Sequence, residues 1–88
     1  MVEITLITKP GCHLCDDARP VVERVVAGFD GVTLTERSIL DDAELAARYS
    51  DDIPVVLIDG RQHSAWRVDP AKLTERIRQR IAAPPVVE

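Results

Sequence analysis

The spacing of apolar positions changes along this chain, and each change marks a new element. From Val2 to Thr8 the side chains alternate, with Ile4 and Leu6 on one face and Thr5 and Ile7 on the other. A strand that is apolar on both faces predicts a central position between two layers, and we label it β1. Lys9-Pro10-Gly11 breaks it. Leu14, Ala18, Val21, Val22, Val25 and Val26 follow at helical spacing. They predict a helix, α1, from Leu14 to Phe29, ending near Gly28 or Gly31. Pro20 lies inside it and lacks the N–H that would bond the Asp16 carbonyl, so a kink is expected. Val32 to Ile39 is β-prone yet polar at Thr33, Thr35 and Arg37, as an edge strand, β2, should be.

Asp41-Asp42-Ala43-Glu44 has the acid-x-x-Glu form of a helix start, which predicts a short helix, α2, ending by Tyr49. Pro54 to Ile58, then Asp59-Gly60, then Arg61 to Arg67 reads as two strands, β3 and β4, joined by a tight primed turn. Asp69 as N-cap with Pro70 at the first helical position opens the last helix, α3. Leu73, Ile77 and Ile81 form its inward stripe, while Arg76, Arg78 and Arg80 lie off it and read as a solvated face. The order is β1-α1-β2-α2-β3-β4-α3. A β-α-β crossover makes the first two strands parallel, and the hairpin completes a mixed four-stranded sheet with helices on both faces, an α/β fold.

Composition narrows the function classes. At 88 residues the chain can build one core without staples; the expected domain spans residues 1–83, with a loose tail at 84–88 after Pro84-Pro85. The net charge of -4 argues against nucleic acid or an anionic membrane as partner. Met1 to Thr8 has no basic leader, and no apolar run approaches a membrane span. The expectation is a cytoplasmic monomer.

Cys12-His13-Leu14-Cys15 carries the chemistry. These are the only 2 cysteines, one helical turn apart, at a strand-to-helix junction. That placement reads as a redox site. Backbone N–H groups and the positive end of the helix dipole stabilise a thiolate at a helix start. Cys12 is therefore the expected nucleophile and Cys15 the resolving thiol. A structural disulfide closing so short a loop gains little. A structural zinc site needs about four ligands, and only His13, His63 and carboxylates are left to supply them. A thiol-dependent binding module, or one handling a metal or iron–sulfur cluster, is the alternative; no metal site is expected.

The order of elements, the site and the size together resemble the glutaredoxin branch of the thioredoxin fold over residues 2–82. Ile4-Thr-Leu-Ile-Thr-Lys-Pro-Gly-Cys12 is similar to the approach to the glutaredoxin site, and Pro20 resembles the kink proline of thioredoxins. Pro54, after Asp52-Ile53, stands where the family has its cis-proline. The resemblance implies a cis Ile53–Pro54 bond and a substrate groove beside the cysteines formed by Ile53, Pro54 and Val55. Pro54-Val-Val-Leu-Ile-Asp-Gly60 with Ser64-Ala-Trp-Arg67 is similar to the redoxins that serve ribonucleotide reductase, and small bacterial glutaredoxin-like proteins match equally well. The glutaredoxin Gly-Gly pair is absent, with Ala65 and Trp66 in its region. The resemblance implies reversible thiol–disulfide exchange on protein or small-thiol disulfides. It needs no bound cofactor, only an external electron donor, either a thioredoxin-reductase-like flavoprotein or a low-molecular-weight thiol.

Around the thiols, Lys9 and His13 are candidates to steady the Cys12 thiolate by charge and to meet substrate, or are simply solvated. Asp69 is read first as a helix cap, Trp66 as a core residue against the sheet and His63 as a surface residue of the hairpin.

Overall fold

A strand of seven residues, buried on both faces towards its end, opens the fold. In the computed structural model, which describes residues 2–82, β1 spans Val2–Thr8 and buries Val2, Ile4 and Leu6 on one face and Ile7 on the other. The sheet order β2-β1-β3-β4 explains why: β1 has a strand on each side and a layer on each face. Its partner β2, Val32–Ser38, runs parallel to it, with Val2 opposite Val32 and Thr8 opposite Ser38. The strand β3, Val55–Ile58, runs antiparallel, with Ile4 opposite Ile58 and Ile7 opposite Val55. The edge strand β4, Arg61–Ala65, completes the sheet. Asp59 and Gly60 take φ of 50° and 82°, the two positive values a type I′ turn requires. Asp59 also ties that turn to β1: its N–H donates to the Glu3 carbonyl at 2.8 Å, and its carboxylate accepts from the Glu3 N–H at 2.9 Å.

The sheet's first face is covered by two helices. These are α1, His13–Ala27, and α3, Pro70–Ala82, which bring Val22, Val25, Leu73 and Ile77 onto Val2, Ile4, Leu6, Val56 and Ile58. The second face is smaller. There Tyr49 from α2, Ala43–Tyr49, joins Ile7, Cys15, Ile53, Val55 and Leu57. The start of α1 thus supplies Cys15 to the second cluster, while its later turns serve the first. Asp69 accepts from the N–H groups of Ala71 and Lys72 at 2.9 and 3.2 Å, which makes it the cap of α3.

Several expected positions are corrected. Leu14 does not lead the inward stripe of α1; it is 36% exposed, and the buried set is Cys15, Ala18, Val22 and Val25. One residue is about 100° of helix, so once Cys15 points inward Leu14 must turn aside. The strand β2 stops at Ser38, and Ile39–Asp41 forms a 3₁₀ turn closed by a reciprocal Ser38–Asp41 capping box. Asp41 is spent there, so Asp42 caps α2 instead, accepting from the Glu44 N–H at 2.8 Å. Strand β4 ends at Ala65 rather than Arg67, because Trp66 turns to φ 64°. Ile81 is 51% exposed, since the stripe on α3 outruns the sheet: Arg80, one residue earlier, is already level with the β3–β4 turn and pairs with Asp59 at 2.7 Å. The expected tail at 84–88 lies outside the described residues.

Candidate active site

The dithiol sits where β1 gives way to α1. Gly11, at φ 71°, makes the turn that aims the chain into the helix. Cys12 follows in extended conformation, φ -98° and ψ 113°, and is the N-cap of α1. Caps are usually Ser, Thr, Asp or Asn, whose oxygen takes an orphan N–H of the first turn. Here sulfur does that work: the Cys15 N–H donates to Cys12 Sγ at 3.2 Å. The Cys12 carbonyl accepts the first helical bond, from the Asp16 N–H at 3.1 Å.

The two thiols are unequal. Cys12 is half-buried and Cys15 fully buried, and both are free. Burial pushes the Cys15 thiol up from 9.0 to about 11, helped by its hydrogen bond with Cys12 and opposed by a backbone hydrogen bond from Lys9 and the charge of Arg19. Lys9 therefore reaches the site through its backbone. The Lys9 and His13 side chains are not buried and form no ion pair or side-chain hydrogen bond among the described residues.

Ile53 and Val55, with Pro54 between them, lie beside the dithiol. All three are buried, and Ile53 and Val55 share the second core cluster with Cys15, against which Cys12 also packs. The Ile53–Pro54 bond is cis. The Trp66 N–H donates to the Pro54 carbonyl at 2.9 Å and to the Asp52 carbonyl at 3.2 Å, which brackets Ile53. Ile53 itself makes no backbone hydrogen bond among the described residues. Trp66 is not core: it is 56% exposed, and its indole N–H donates to the Asp51 carbonyl at 3.0 Å. It lines a cleft together with Leu14, Val21 and Val68. Hydrogen bonds from a distant loop hold it there, so the apolar content of β4 was no guide.

A polar network beneath the start of α1 was not anticipated. Arg19 donates through Nε and Nη2 to the two oxygens of Glu36 at 2.6 and 2.9 Å, and through Nη1 to Asp16 at 3.2 Å. Thr8, buried at the end of β1, donates its hydroxyl to Glu36 at 3.1 Å. Arg19 holds the Glu36 carboxyl below the usual carboxylate range. The available signal was the i, i+3 pairing of Asp16 with Arg19; its strand partner could not be read from spacing. Among the described residues no three of His, Cys, Asp and Glu gather as metal ligands. Asp69 is occupied by its cap, and His63 lies half-buried on β4, lining a different cleft.

A cysteine-capped helix start beside a cis-proline loop, on a mixed four-stranded sheet, defines a thioredoxin-fold protein. The chain belongs to the glutaredoxin-like domain (DUF836) family, whose model matches residues 3–78. Uncharacterized protein Rv0508 of Mycobacterium tuberculosis is 33% identical, with 94% of this chain and 91% of that protein covered. Northeast Structural Genomics target protein XcR50 of X. campestris, in its solution structure, is 32% identical with a TM-score of 0.65, covering 92% of this chain and 95% of that one. A mutant thioredoxin from Halobacterium salinarum shares the fold at a TM-score of 0.68 and 22% identity, over 96% of this chain and 78% of that chain. No helix among the described residues is long and apolar enough to cross a membrane.

Proposed function

We propose that the protein is a dithiol thiol–disulfide oxidoreductase that reduces disulfides of proteins or small thiols. The observation that carries this reading is the inequality of the two thiols: a half-buried Cys12 sulfur at a helix start, and a fully buried Cys15 whose N–H touches it. The Cys12 thiolate attacks one sulfur of the substrate disulfide; the S–S bond breaks, and the other sulfur leaves as a thiolate that takes a proton. Cys15, deprotonated in turn, attacks Cys12 Sγ, releases the second substrate thiol and leaves Cys12–Cys15 oxidised. Two electrons have passed to the substrate, and an external donor returns them. The unpaired backbone of Ile53 supports its use as the strand-like rail for an extended substrate beside Cys12, with Pro54 and Val55 shaping the wall and Lys9 and His13 at its rim.

For the donor we favour a thioredoxin-reductase-like flavoenzyme over glutathione. Trp66 carries a side chain at positive φ and spends its N–H on the cis-proline loop, so the backbone there is less open to a tripeptide than a Gly-Gly pair would be. The setting is a reducing cytoplasm, and the protein acts as a monomer.

The test is turnover of a protein disulfide with NADPH and thioredoxin reductase, against NADPH, glutathione and glutathione reductase. Saturable turnover is expected with the first and little with the second. Cys12→Ser should abolish both, and Cys15→Ser should trap a mixed disulfide detectable by mass. Undiminished turnover by Cys12→Ser would overturn the mechanism, and efficient turnover with glutathione alone would overturn the donor.

A further inference from the structure

The end of the sheet away from the dithiol carries a second cleft, between β4 and the last turns of α3. Its volume is about 320 Å³, and Ile58 forms its floor, near the lower end of small-ligand pockets. Arg76, Gln79 and Arg80 line it from α3; steps of three and four residues put them on one helix face. Arg61 and His63 line it from β4, where alternate residues share a face. Gln62 between them also touches the lining, although its partner across the ladder is Leu57, which faces the other side of the sheet.

Charge makes this cleft unusual for its chain. The protein carries a net charge of -4, yet three guanidinium groups and an imidazole meet here with one carboxylate, Asp59. Asp59 is already committed: it accepts from Arg80 at 2.7 Å and from the Glu3 N–H at 2.9 Å. Arg61 and Arg76 have no ion pair among the described residues. Burial and the charge of Arg76 both push His63 down, so its ring is neutral near pH 7 and presents one N–H donor.

We propose that this cleft binds a small oxyanion of the phosphate class, with Arg61 and Arg76 as the charged clamps, Arg80 fixed beside them by Asp59, and the amide of Gln79 as a neutral donor. Guanidinium forks match two oxygens of a phosphate at once, and the anion relieves repulsion among the arginines that Asp59 leaves unbalanced. The room beyond one phosphate suits a phosphoryl group on a small molecule as well as the free ion. This inference does not depend on the redox reading.

The test is NMR titration of the intact protein with inorganic phosphate and, separately, with adenosine monophosphate, against sodium chloride at matched ionic strength. Saturable shifts are expected at His63 and Gln79. The His63 pKa should rise as the bound anion offsets Arg76, with Arg61, Arg80 and Asp59 the other charges lining the cleft. Arg76→Gln should weaken binding by about tenfold or more, and Arg61→Gln with Arg76→Gln should abolish it. Lys72→Gln, at an exposed position outside the cleft, should change nothing. Tighter binding of the nucleotide identifies a phosphoryl compound as the ligand, and equal affinity the free ion. Shifts that track ionic strength without saturating, or that survive in the folded double variant, overturn the proposal.

Discussion

The two faces of the sheet divide the labour of this small protein. On the first, two long helices close over Val2, Ile4, Leu6, Val56 and Ile58, with fully buried Leu73 and Ile77 filling the space between. On the second, a helix of only 7 residues covers less, and the cluster of Ile7, Ile53, Val55 and Leu57 takes in Cys15 and touches Cys12. The larger core lies on one face and the dithiol on the other. Burial on the second face serves chemistry, because it keeps one thiol protonated while the other meets solvent.

The sharpest way to break this division is Leu73→Ala. It should cost about 2–5 kcal/mol of stability by transfer and cavity, read by denaturant unfolding, while leaving the alkylation rate of Cys12 in the folded protein unchanged. A smaller effect is expected from the other face. The folded-state pKa of Cys15 is raised, so its contribution to stability is complete below 9.0 and is lost as pH rises towards about 11. Reduced protein should therefore melt progressively lower across that window, and Cys15→Ala should melt with a flatter alkaline profile. An equal slope in the variant would remove Cys15 from the explanation.

Smaller still, Asp69→Ala strips the cap of α3 and should cost about 0.5–2 kcal/mol, lowering the melting temperature without touching the thiols. Ile81→Ala should cost within about 0.5 kcal/mol, since Ile81 is exposed although it continues the stripe of Leu73 and Ile77. A Leu73-sized loss at Ile81 would mean that α3 is seated differently.

Ile81 shows what spacing can and cannot say. Period alone marks a residue as inward, and only the length of the opposing sheet decides whether anything lies beneath it. The same holds at Leu14, where hydropathy favours leucine over cysteine but the cap at Cys12 fixes the phase of the helix. The features legible in the chain were those with local causes: the two apolar faces of β1, the Asp59-Gly60 turn, the Asp69-Pro70 start and the Cys12–Cys15 pair. Those that escaped were made by distant partners. Trp66 is held at positive φ by Asp51, Asp52 and Pro54, Glu36 meets Arg19 across a crossover, and Arg76 and Arg80 read as a solvated face until β4 is laid beside them.

Cys12 and Cys15, three residues apart, are made chemically unequal by their places in the fold, and everything proposed for the dithiol depends on that inequality. Alkylation of the reduced protein with iodoacetamide near neutral pH, followed by peptide mapping over time, measures it directly. Cys12 should be labelled to completion before Cys15 is detectably modified, and mild denaturant should erase the difference. Equal labelling of the two in the native protein, or labelling of Cys15 first, would contradict it.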